Sequence, residues 1–409
     1  MSERDLSKKR LSRRELLRGL GGLAAGVTVL PILSACSSAP APAPTAEPKA
    51  AAPAAPAPTA AAAAPTAAPA VVSRPDDKIV SIVGNPGLHQ EVWKEWTKMI
   101  ADDTKGAIQV KYEPLGYSPS YAKIKTEADA DHYTIDIFYA DAPWPEKLGI
   151  EGNLEALPYD QMPNTKELWD YARRKFSIEV FHDYWGVVGW NTKFVKDEDI
   201  KTPATWEAFA DPKWKGKLGW PDLRAFPNFM PALLTVYKDN WLDYLKRVDK
   251  NVSTYYGRWV DERMANQKGD IWLSPHSMGT IYIGANVDKA PMKGMLISDP
   301  KPAVWAQSVS HGLVKNAPHR DNAIKVLDLT SSAKYTKVLM DKGLNPSNNP
   351  KNFPHDMPAK DMEANQVAKI GVTKWEDLSA FSVGNDWGPW LEPVDKAVKQ
   401  WEEEVLKKR

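Results

Sequence analysis

Lys78-Ile-Val-Ser-Ile-Val-Gly84 is the stretch that decides the fold class, because its apolar residues run into the turn formers Asn85-Pro86-Gly87 and predict a short strand that ends at a turn. The spacing of the apolar residues that follow alternates between the helical period and the strand period. A helix, a strand, a second helix and a third strand are predicted in turn at residues 88–104, 108–112, 117–130 and 134–140. Strands that alternate with helices are typical of a parallel sheet with crossover helices, so the sequence predicts an α/β fold.

Polar and aromatic residues follow the ends of these strands. Asn85 comes directly after the first strand, and Asp141 and Trp144 come after the third. In open parallel sheets, ligands bind beyond the carboxyl ends of the strands. We therefore expect Asn85, Asp141 and Trp144 to border one binding crevice.

A second group of strands follows in the middle of the chain. These strands are predicted at residues 184–191, 217–222, 269–276 and 303–314. The first of them leaves the first unit and the last returns to it. We therefore expect two lobes, with the chain crossing between them twice.

The N-terminus has the features of an export signal. Ser12-Arg-Arg-Glu-Leu-Leu17 places paired arginines ahead of a mildly apolar stretch, which is typical of twin-arginine signals. The stretch ends at Leu33-Ser-Ala-Cys36, as lipoprotein signals do. Arginine, glycines and a proline interrupt residues 16–35, which disfavours a transmembrane anchor. We expect residues 1–36 to be a signal that ends at Cys36, whose lipidation anchors the protein to the membrane outside the cytoplasm.

The stretch from residue 37 to 75 consists almost wholly of Ala, Pro and Thr. It contains too few large apolar side chains to fold, and its prolines favour extended segments. At about 3.1 Å per residue, such a segment reaches on the order of 100 Å when fully extended. We interpret it as a disordered tether between the lipid anchor and a globular part.

Composition narrows the possible functions. The formal net charge is +1, which leaves no electrostatic footprint for nucleic acid. Cys36 is the only cysteine, so the mature protein has no disulfide and no free thiol once that sulfur is lipidated. The sequence also lacks the common hydrolase, metalloprotease and phosphate-loop motifs. We expect no enzymatic activity, no cofactor and no metal site.

Four segments of the chain resemble one family of proteins. The most specific is Thr205-Trp-Glu-Ala-Phe-Ala-Asp-Pro-Lys-Trp-Lys-Gly-Lys217, and Trp185-Gly-Val-Val-Gly-Trp-Asn-Thr-Lys193 resembles a hinge strand. Residues 322–328 and 343–347 resemble a helix and a loop near the end of the same family. The family is that of extracytoplasmic solute-binding proteins of ATP-driven importers, in the class that includes spermidine/putrescine, ferric-ion, thiamine and aminoethylphosphonate binders.

This resemblance implies a two-lobed, type II periplasmic-binding-protein-like fold, in which each lobe is a mainly parallel sheet with flanking helices. A small-molecule solute would be clamped between the lobes by hinge closure, and the closed monomer would be presented to a membrane permease and its ATPase. The expected division of the chain is a first lobe, a second lobe, a return to the first lobe and C-terminal helices that pack on both, at residues 76–187, 188–303, 304–345 and 346–409.

The resemblance also bears on the ligand. Trp305-Ala-Gln307 lies where the polyamine binders carry Trp-x-Asp, so a neutral amide replaces a carboxylate. Asp222 matches one acid of that subfamily, whereas His276 lies where a tryptophan is expected. No tyrosine pair follows the strand that ends at His276, although ferric binders use such a pair there.

These departures favour a small organic solute with at most one positive charge, held by aromatic stacking and neutral hydrogen bonds. A ferric-ion or polyamine binder, and a surface lipoprotein without a role in transport, remain as alternatives. The predicted ligand-binding residues are Asn85, Asp141, Trp144, Trp185, Asp222, His276, Trp305 and Gln307.

Overall fold

The computed structural model describes residues 78–344, 346–353 and 356–409. All of them fall in the unit that spans residues 67–409. The predicted signal, Cys36 and the whole of the predicted tether lie outside the described residues. None of the helices that the structure describes is long and apolar enough to span a membrane.

Nine strands among the described residues form the sheet; seven of them match predicted strands in order, whereas β6 and β8 were not predicted. They are β1 (Ile79–Gly84), β2 (Gln109–Pro114), β3 (Ile137–Asp141), β4 (Ile178–Asn191), β5 (Leu218–Pro221), β6 (Val252–Tyr256), β7 (Leu273–Ser277), β8 (Met292–Leu296) and β9 (Trp305–Leu313). Their spatial order is β2-β1-β3-β9-β4-β7-β5-β6, and β8 also pairs with β4. The pairings of β1 with β2 and β3 and of β5 with β6 and β7 are parallel, whereas those made by β4 and β9 are antiparallel.

Strand β4 belongs to two parts of the sheet. Its residues 178–185 pair with β9, and its residues 185–191 pair with β7 and β8. We call β1, β2, β3, β9 and the first part of β4 the first half-sheet, and β5 to β8 with the second part of β4 the second half-sheet. Gly186 follows the junction at a φ of 126°, and a Cβ there would come within 2.8 Å of Val304. This backbone conformation and the close contact with Val304 therefore require glycine at position 186.

Helices flank the sheet. They are α1 (Leu88–Asp103), α2 (Tyr117–Asp129), α3 (Pro143–Ile150), α4 (Met230–Tyr237), α5 (Trp241–Asp249), α6 (Trp259–Lys268), α7 (Met278–Tyr282), α8 (Arg320–Ser331), α9 (Ala333–Asp341), α10 (Ala359–Asn365) and α11 (Leu391–Glu404). Helix α1 buries the apolar face that its spacing predicts, and the four residues of that face, Val92, Trp93, Trp96 and Ile100, are fully buried.

The segment with the most specific family resemblance is part of the core of the second half-sheet. It forms two short 3₁₀ turns, Trp206–Ala210 and Pro212–Trp214. The indole of Trp206 donates a hydrogen bond to the carbonyl of Ala303 (2.9 Å), and its ring packs against Phe209 and Phe229. The motif therefore fixes the core against the strand that returns to the first half-sheet.

The C-terminal segment contacts both half-sheets. Asp395 of α11 pairs with Lys147 of α3 (2.9 Å), which follows β3. On the other side, Glu404 pairs with Lys246 of α5 (2.7 Å), and Trp401 packs against Tyr255 of β6. Helix α11 thus lies across the boundary between the two halves.

Two buried tryptophans in the second half-sheet provide a matched test of this core. Trp206 and Trp220 are each 1% exposed, but only Trp206 has a hydrogen-bond partner for its indole N–H within the described residues. We expect Trp206→Phe to lower the free energy of unfolding by about 1–2 kcal/mol more than Trp220→Phe does, because a buried hydrogen bond is lost only in the first case. Urea unfolding of the two variants measures this difference, and equal losses would contradict the assignment.

Candidate functional site

A pocket lies where the two half-sheets meet at β4. It encloses about 470 Å³, part of which is open to solvent. Both half-sheets and the segments that follow their strands supply its walls, which are formed by His89, Tyr117, Asp141, Phe181, Asp183, Trp185, Trp259, Ser277, Gly279, Thr280, Ile283, Gln307, Val309 and Leu344. We call this space the cleft pocket.

Asp141, the last residue of β3, joins the two walls of the cleft pocket. Its carboxylate accepts hydrogen bonds from the hydroxyl of Tyr117 (2.5 Å) and from the side-chain amide of Asn228 (2.5 Å). Tyr117 follows β2 of the first half-sheet, whereas Asn228 follows β5 of the second. Burial, reinforced by the nearby charge of Asp183 and opposed by these hydrogen bonds, raises the pKa of Asp141 to about 7.

Asp183 is the second carboxylate of the cleft pocket, and it comes from β4 itself. Its Oδ1 accepts hydrogen bonds from the backbone N–H of Gly279 (2.9 Å) and of Tyr184 (2.8 Å). A Cβ on Gly279 would lie 2.6 Å from the other carboxylate oxygen, so this close approach requires glycine. Burial raises the pKa of Asp183 to about 6, although its hydrogen bonds oppose the shift.

A third carboxyl group lies close behind Asp183. Asp361 of α10 is 3% exposed, and its Oδ2 has no hydrogen-bond partner within the described part of the chain. Burial and the charge of Asp183 raise the pKa of Asp361 to about 7. Asp183 in the cleft pocket therefore repels both Asp141 and Asp361.

Aromatic rings form much of the remaining wall. The ring of His89, at the start of α1, is stacked with Phe181 at 5.9 Å and meets Trp259 of the second half-sheet edge-on at 6.5 Å. Burial lowers the pKa of His89 to about 4, so the ring is neutral near pH 7. Phe226 of the second half-sheet packs on Trp185 (4.8 Å) and on Tyr117 (6.3 Å). Phe226 thus packs behind two rings of the lining.

The charged residues that line the cleft pocket are all acidic. Two of its lining residues are carboxylates, and none is lysine or arginine. Arg263 lies 5.4 Å from the ring of Trp259, outside the lining, and Asp288 is its ion-pair partner at 3.4 Å. No group of three or more His, Cys, Asp or Glu among the described residues is arranged to hold a metal ion.

Three of the eight predicted ligand-binding residues line the cleft pocket, namely Asp141, Trp185 and Gln307. The amide of Gln307 is already engaged within the protein. It accepts hydrogen bonds from the indoles of Trp305 (3.2 Å) and Trp387 (3.1 Å), and it donates one to the carbonyl of Ser308 (2.8 Å). Trp305 is fully buried behind Gln307 and does not reach the pocket.

The other four predicted residues lie elsewhere. Asn85 is buried beside the pocket, and its carbonyl accepts a hydrogen bond from Tyr112 (2.6 Å). Asp222 pairs with Arg224 at 2.6 Å. His276 is fully buried and bonded to Ser274 (2.7 Å), and burial lowers its pKa to about 3. Trp144 lines a separate pocket between α3 and α11.

Sequence reasoning missed Asp183, Phe181, His89 and Trp259. The positions of Asp183 and Phe181 could have been predicted from the sequence, because side chains at i, i+2 and i+4 of a strand lie on one face. Counting back from Trp185 in steps of two reaches Asp183 and Phe181. His89 and Trp259 lie at the starts of helices, and only the three-dimensional arrangement brings them to the pocket.

Several solved structures of binding proteins share this fold. The periplasmic binding protein P5PA has a TM-score of 0.65 at 18% identity, over 80% of this chain and 100% of that one. AfuA from Actinobacillus pleuropneumoniae, with fructose 6-phosphate bound, has a TM-score of 0.64 at 16% identity, over 80% and 99%. The spermidine/putrescine protein PotD from Streptococcus pneumoniae has a TM-score of 0.57 at 14% identity, over 80% and 99%. These likenesses confirm the type II periplasmic-binding-protein fold.

Sequence comparison agrees with the structural one. A search of curated protein sequences finds no significant match. The model of the bacterial extracellular solute-binding proteins matches residues 95–352, which is more than half of the chain. This family and the structural neighbours are solute-binding proteins and not enzymes. The chain belongs to the bacterial extracellular solute-binding protein family.

Proposed function

We propose that the protein is the lipid-anchored substrate-binding component of an ABC-type importer, which captures a small organic solute between two lobes by hinge closure. The observation that carries the proposal is the cleft pocket, whose walls come from both half-sheets. A ligand that touches both walls stabilises the closed arrangement by the contacts it makes only there. The bound solute would then be passed to a permease.

Strand β4 is the hinge in this proposal. It continues from one half-sheet into the other, and the chain returns between β8 and β9. We assign the first lobe to residues 76–187 and 304–345, the second to residues 188–303, and the C-terminal helices to residues 346–409. The hydrogen bond between Asn228 and Asp141 crosses the cleft, so opening the lobes would break it.

The lining favours an organic solute over a ferric ion. Tyr117 is the one tyrosine of the lining, and its hydroxyl is bound to Asp141. A pair of phenolate ligands is therefore not presented to the cleft pocket by the residues that line it. The aromatic rings of Phe181, Trp185 and Trp259 instead offer faces and edges on which an organic molecule packs.

The extracellular character of the family implies a location outside the cytoplasm. In our proposal, residues 1–36 direct twin-arginine export, acyl chains on Cys36 hold the protein on the membrane, and residues 37–75 are the tether. The protein would act as a monomer, as the resemblance predicts. These features rest on the sequence motifs.

Removal of the hydrogen bond across the cleft tests hinge closure. We expect Asn228→Ala to shift the equilibrium toward the open form by about tenfold or more, because a hydrogen bond to a charged group contributes about 1.5–3 kcal/mol. Spin labels on cysteines at the exposed positions Lys98 and Lys250, in a Cys36→Ser background, report the distance between the lobes. The half-buried Asn286→Ala, which removes a hydrogen bond to the carbonyl of Lys360 and none across the cleft, is the control. Identical distance distributions in both variants would contradict a hinge held by Asn228.

The anchor is tested in the native cell. Cys36→Ser should move the protein from the membrane fraction to a soluble extracytoplasmic fraction, because two or more acyl chains are needed for stable anchoring. Replacement of Arg13 and Arg14 by lysine should instead retain the precursor inside the cell. Immunoblots of fractionated cells distinguish these outcomes, and membrane retention of Cys36→Ser would rule out the lipid anchor.

A further inference from the structure

We infer, on the basis of the proposed function, that the solute is a compact organic cation of the alkylated ammonium type, held against Asp183 and Asp141 among the aromatic rings of the cleft pocket. Three independent features of the site point to this class: its unbalanced negative charge, its aromatic faces and its small remaining capacity to accept hydrogen bonds.

The first feature is charge without a counter-ion. Asp183 acts electrostatically on Asp141 and on Asp361, and in both cases the effect is repulsive. No lysine or arginine contributes to the pKa shift of any of the three carboxyl groups. A buried carboxylate is costly unless it is paired. A positive ligand in the cleft pocket supplies the missing partner, whereas a phosphate or carboxylate ligand adds to the repulsion.

An unpartnered atom supports the same conclusion. Asp361 is 3% exposed, and its Oδ2 has no hydrogen-bond partner within the described residues. This carboxyl group is close enough to Asp183 for the two charges to interact. Its burial is explained if a cation in the cleft pocket offsets the combined negative charge.

The second feature is the aromatic wall. Phe181, Trp185 and Trp259 line the same space as Asp183, and the ring of His89 is neutral near pH 7. The face of an aromatic ring attracts a cation, most strongly when that cation is removed from water. A neutral solute would gain from stacking but would leave the carboxylates without a partner.

The third feature, the number of hydrogen-bond acceptors still free on Asp141 and Asp183, limits which type of ammonium group fits the site. The two carboxylate oxygens of Asp141 already accept hydrogen bonds from Tyr117 and Asn228, and Asp183 accepts two from the backbone and one from the side chain of Ser277. Since a carboxylate offers about four acceptor positions, about three of the eight positions remain, and they are divided between two carboxylates on different strands. A primary ammonium brings three N–H donors that need acceptors, whereas a quaternary ammonium brings none. The arrangement therefore favours methylated ammonium groups over primary amines such as those of putrescine.

Titration calorimetry on the full chain tests this inference. The probes are choline, tetramethylammonium and trimethylammonium, with 3,3-dimethylbutan-1-ol as the neutral analogue of choline, and with putrescine and fructose 6-phosphate as the diamine and anionic comparisons. We expect at least one methylated cation to bind, and choline to bind at least tenfold more tightly than its neutral analogue. Failure of all three cations to bind, equal binding of the neutral analogue, or tighter binding of putrescine or fructose 6-phosphate would overturn the inference.

Substitutions locate the binding. Asp183→Asn should weaken the binding of choline at least tenfold, and Trp259→Leu should weaken it while leaving the carboxylates in place. Asp341→Asn, which alters an exposed ion pair on α9, is the matched control and should bind as the wild type does. Thermal unfolding checks that each variant is folded. Unchanged affinity in a folded Asp183→Asn or Trp259→Leu variant would place the cation elsewhere and overturn the inference.

Affinity should also depend on pH with a defined sign. The pKa of Asp183 is raised to about 6, and those of Asp141 and of the neighbouring Asp361 to about 7, so all three groups bind protons that a cation must displace. The nearby hydroxyls of Tyr117, Tyr139 and Tyr184 have raised pKa values, and His89 titrates near 4, so these groups keep one protonation state between pH 5 and 8. We expect the affinity for choline to rise at least tenfold from pH 5 to pH 8, and a flat or falling profile would contradict the role of the carboxylates.

The outcomes separate this inference from the proposed function. If the spin-labelled protein closes on fructose 6-phosphate or another uncharged or anionic solute, transport by hinge closure stands and the cationic class fails. If the distance between the labels never changes across a broad library of metabolites, the proposed function fails as well.

Discussion

The rest of the structure depends on the hydrogen bonds by which β4 pairs with β9 in the first half-sheet and with β7 and β8 in the second. Trp185 is the residue where the ladder passes from Trp305 of β9 to Ser277 of β7. Strand β4 is hydrogen-bonded to its neighbours both before and after Trp185, so it fixes the register between the two halves. Gly186, with its positive φ, interrupts the regular strand conformation at the junction. Because alternate residues of a strand share a face, the same strand presents Phe181, Asp183 and Trp185 to one space. The same few residues therefore form the floor of the cleft pocket and the connection between the two half-sheets.

The carboxylates of the cleft pocket follow from this arrangement. Asp183 lies on β4, and Asp141 ends β3, which is joined to β4 through β9. A strand with 14 residues that is buried along nearly all of its length would normally carry apolar side chains at inward positions. An acidic residue in such a position costs stability unless a ligand or a hydrogen bond compensates for it. The backbone N–H of Gly279 provides part of this compensation, and the remainder is available for ligand recognition.

The sequence predicted the fold well and the site only in part, for physical reasons. Strand and helix periods are local properties, so β1, α1 and β9 were found close to their observed bounds. Site residues were chosen instead by their proximity to strand ends, which ignores the direction of the side chain. His276 and Ser277 are neighbours on β7, and alternation turns Ser277 to the cleft pocket and His276 into the core. Asn228 and Trp259 reach the cleft only through the packing of the second half-sheet, which no local pattern in the sequence encodes.

The neutral Gln307 and the acidic Asp183 form a directly opposed pair between β9 and β4. Gln307 accepts hydrogen bonds from two indole N–H groups and so holds Trp305 and Trp387 together. The residue directly across the ladder from Gln307 is Asp183. Side chains of directly opposed residues on neighbouring strands are about 4.5–5.5 Å apart at Cβ, so a carboxylate on β4 reaches nearly the same space as one on β9 would. The negative charge beside Gln307 therefore lies on β4, where the backbone N–H of Gly279, on the opposite wall, binds it directly.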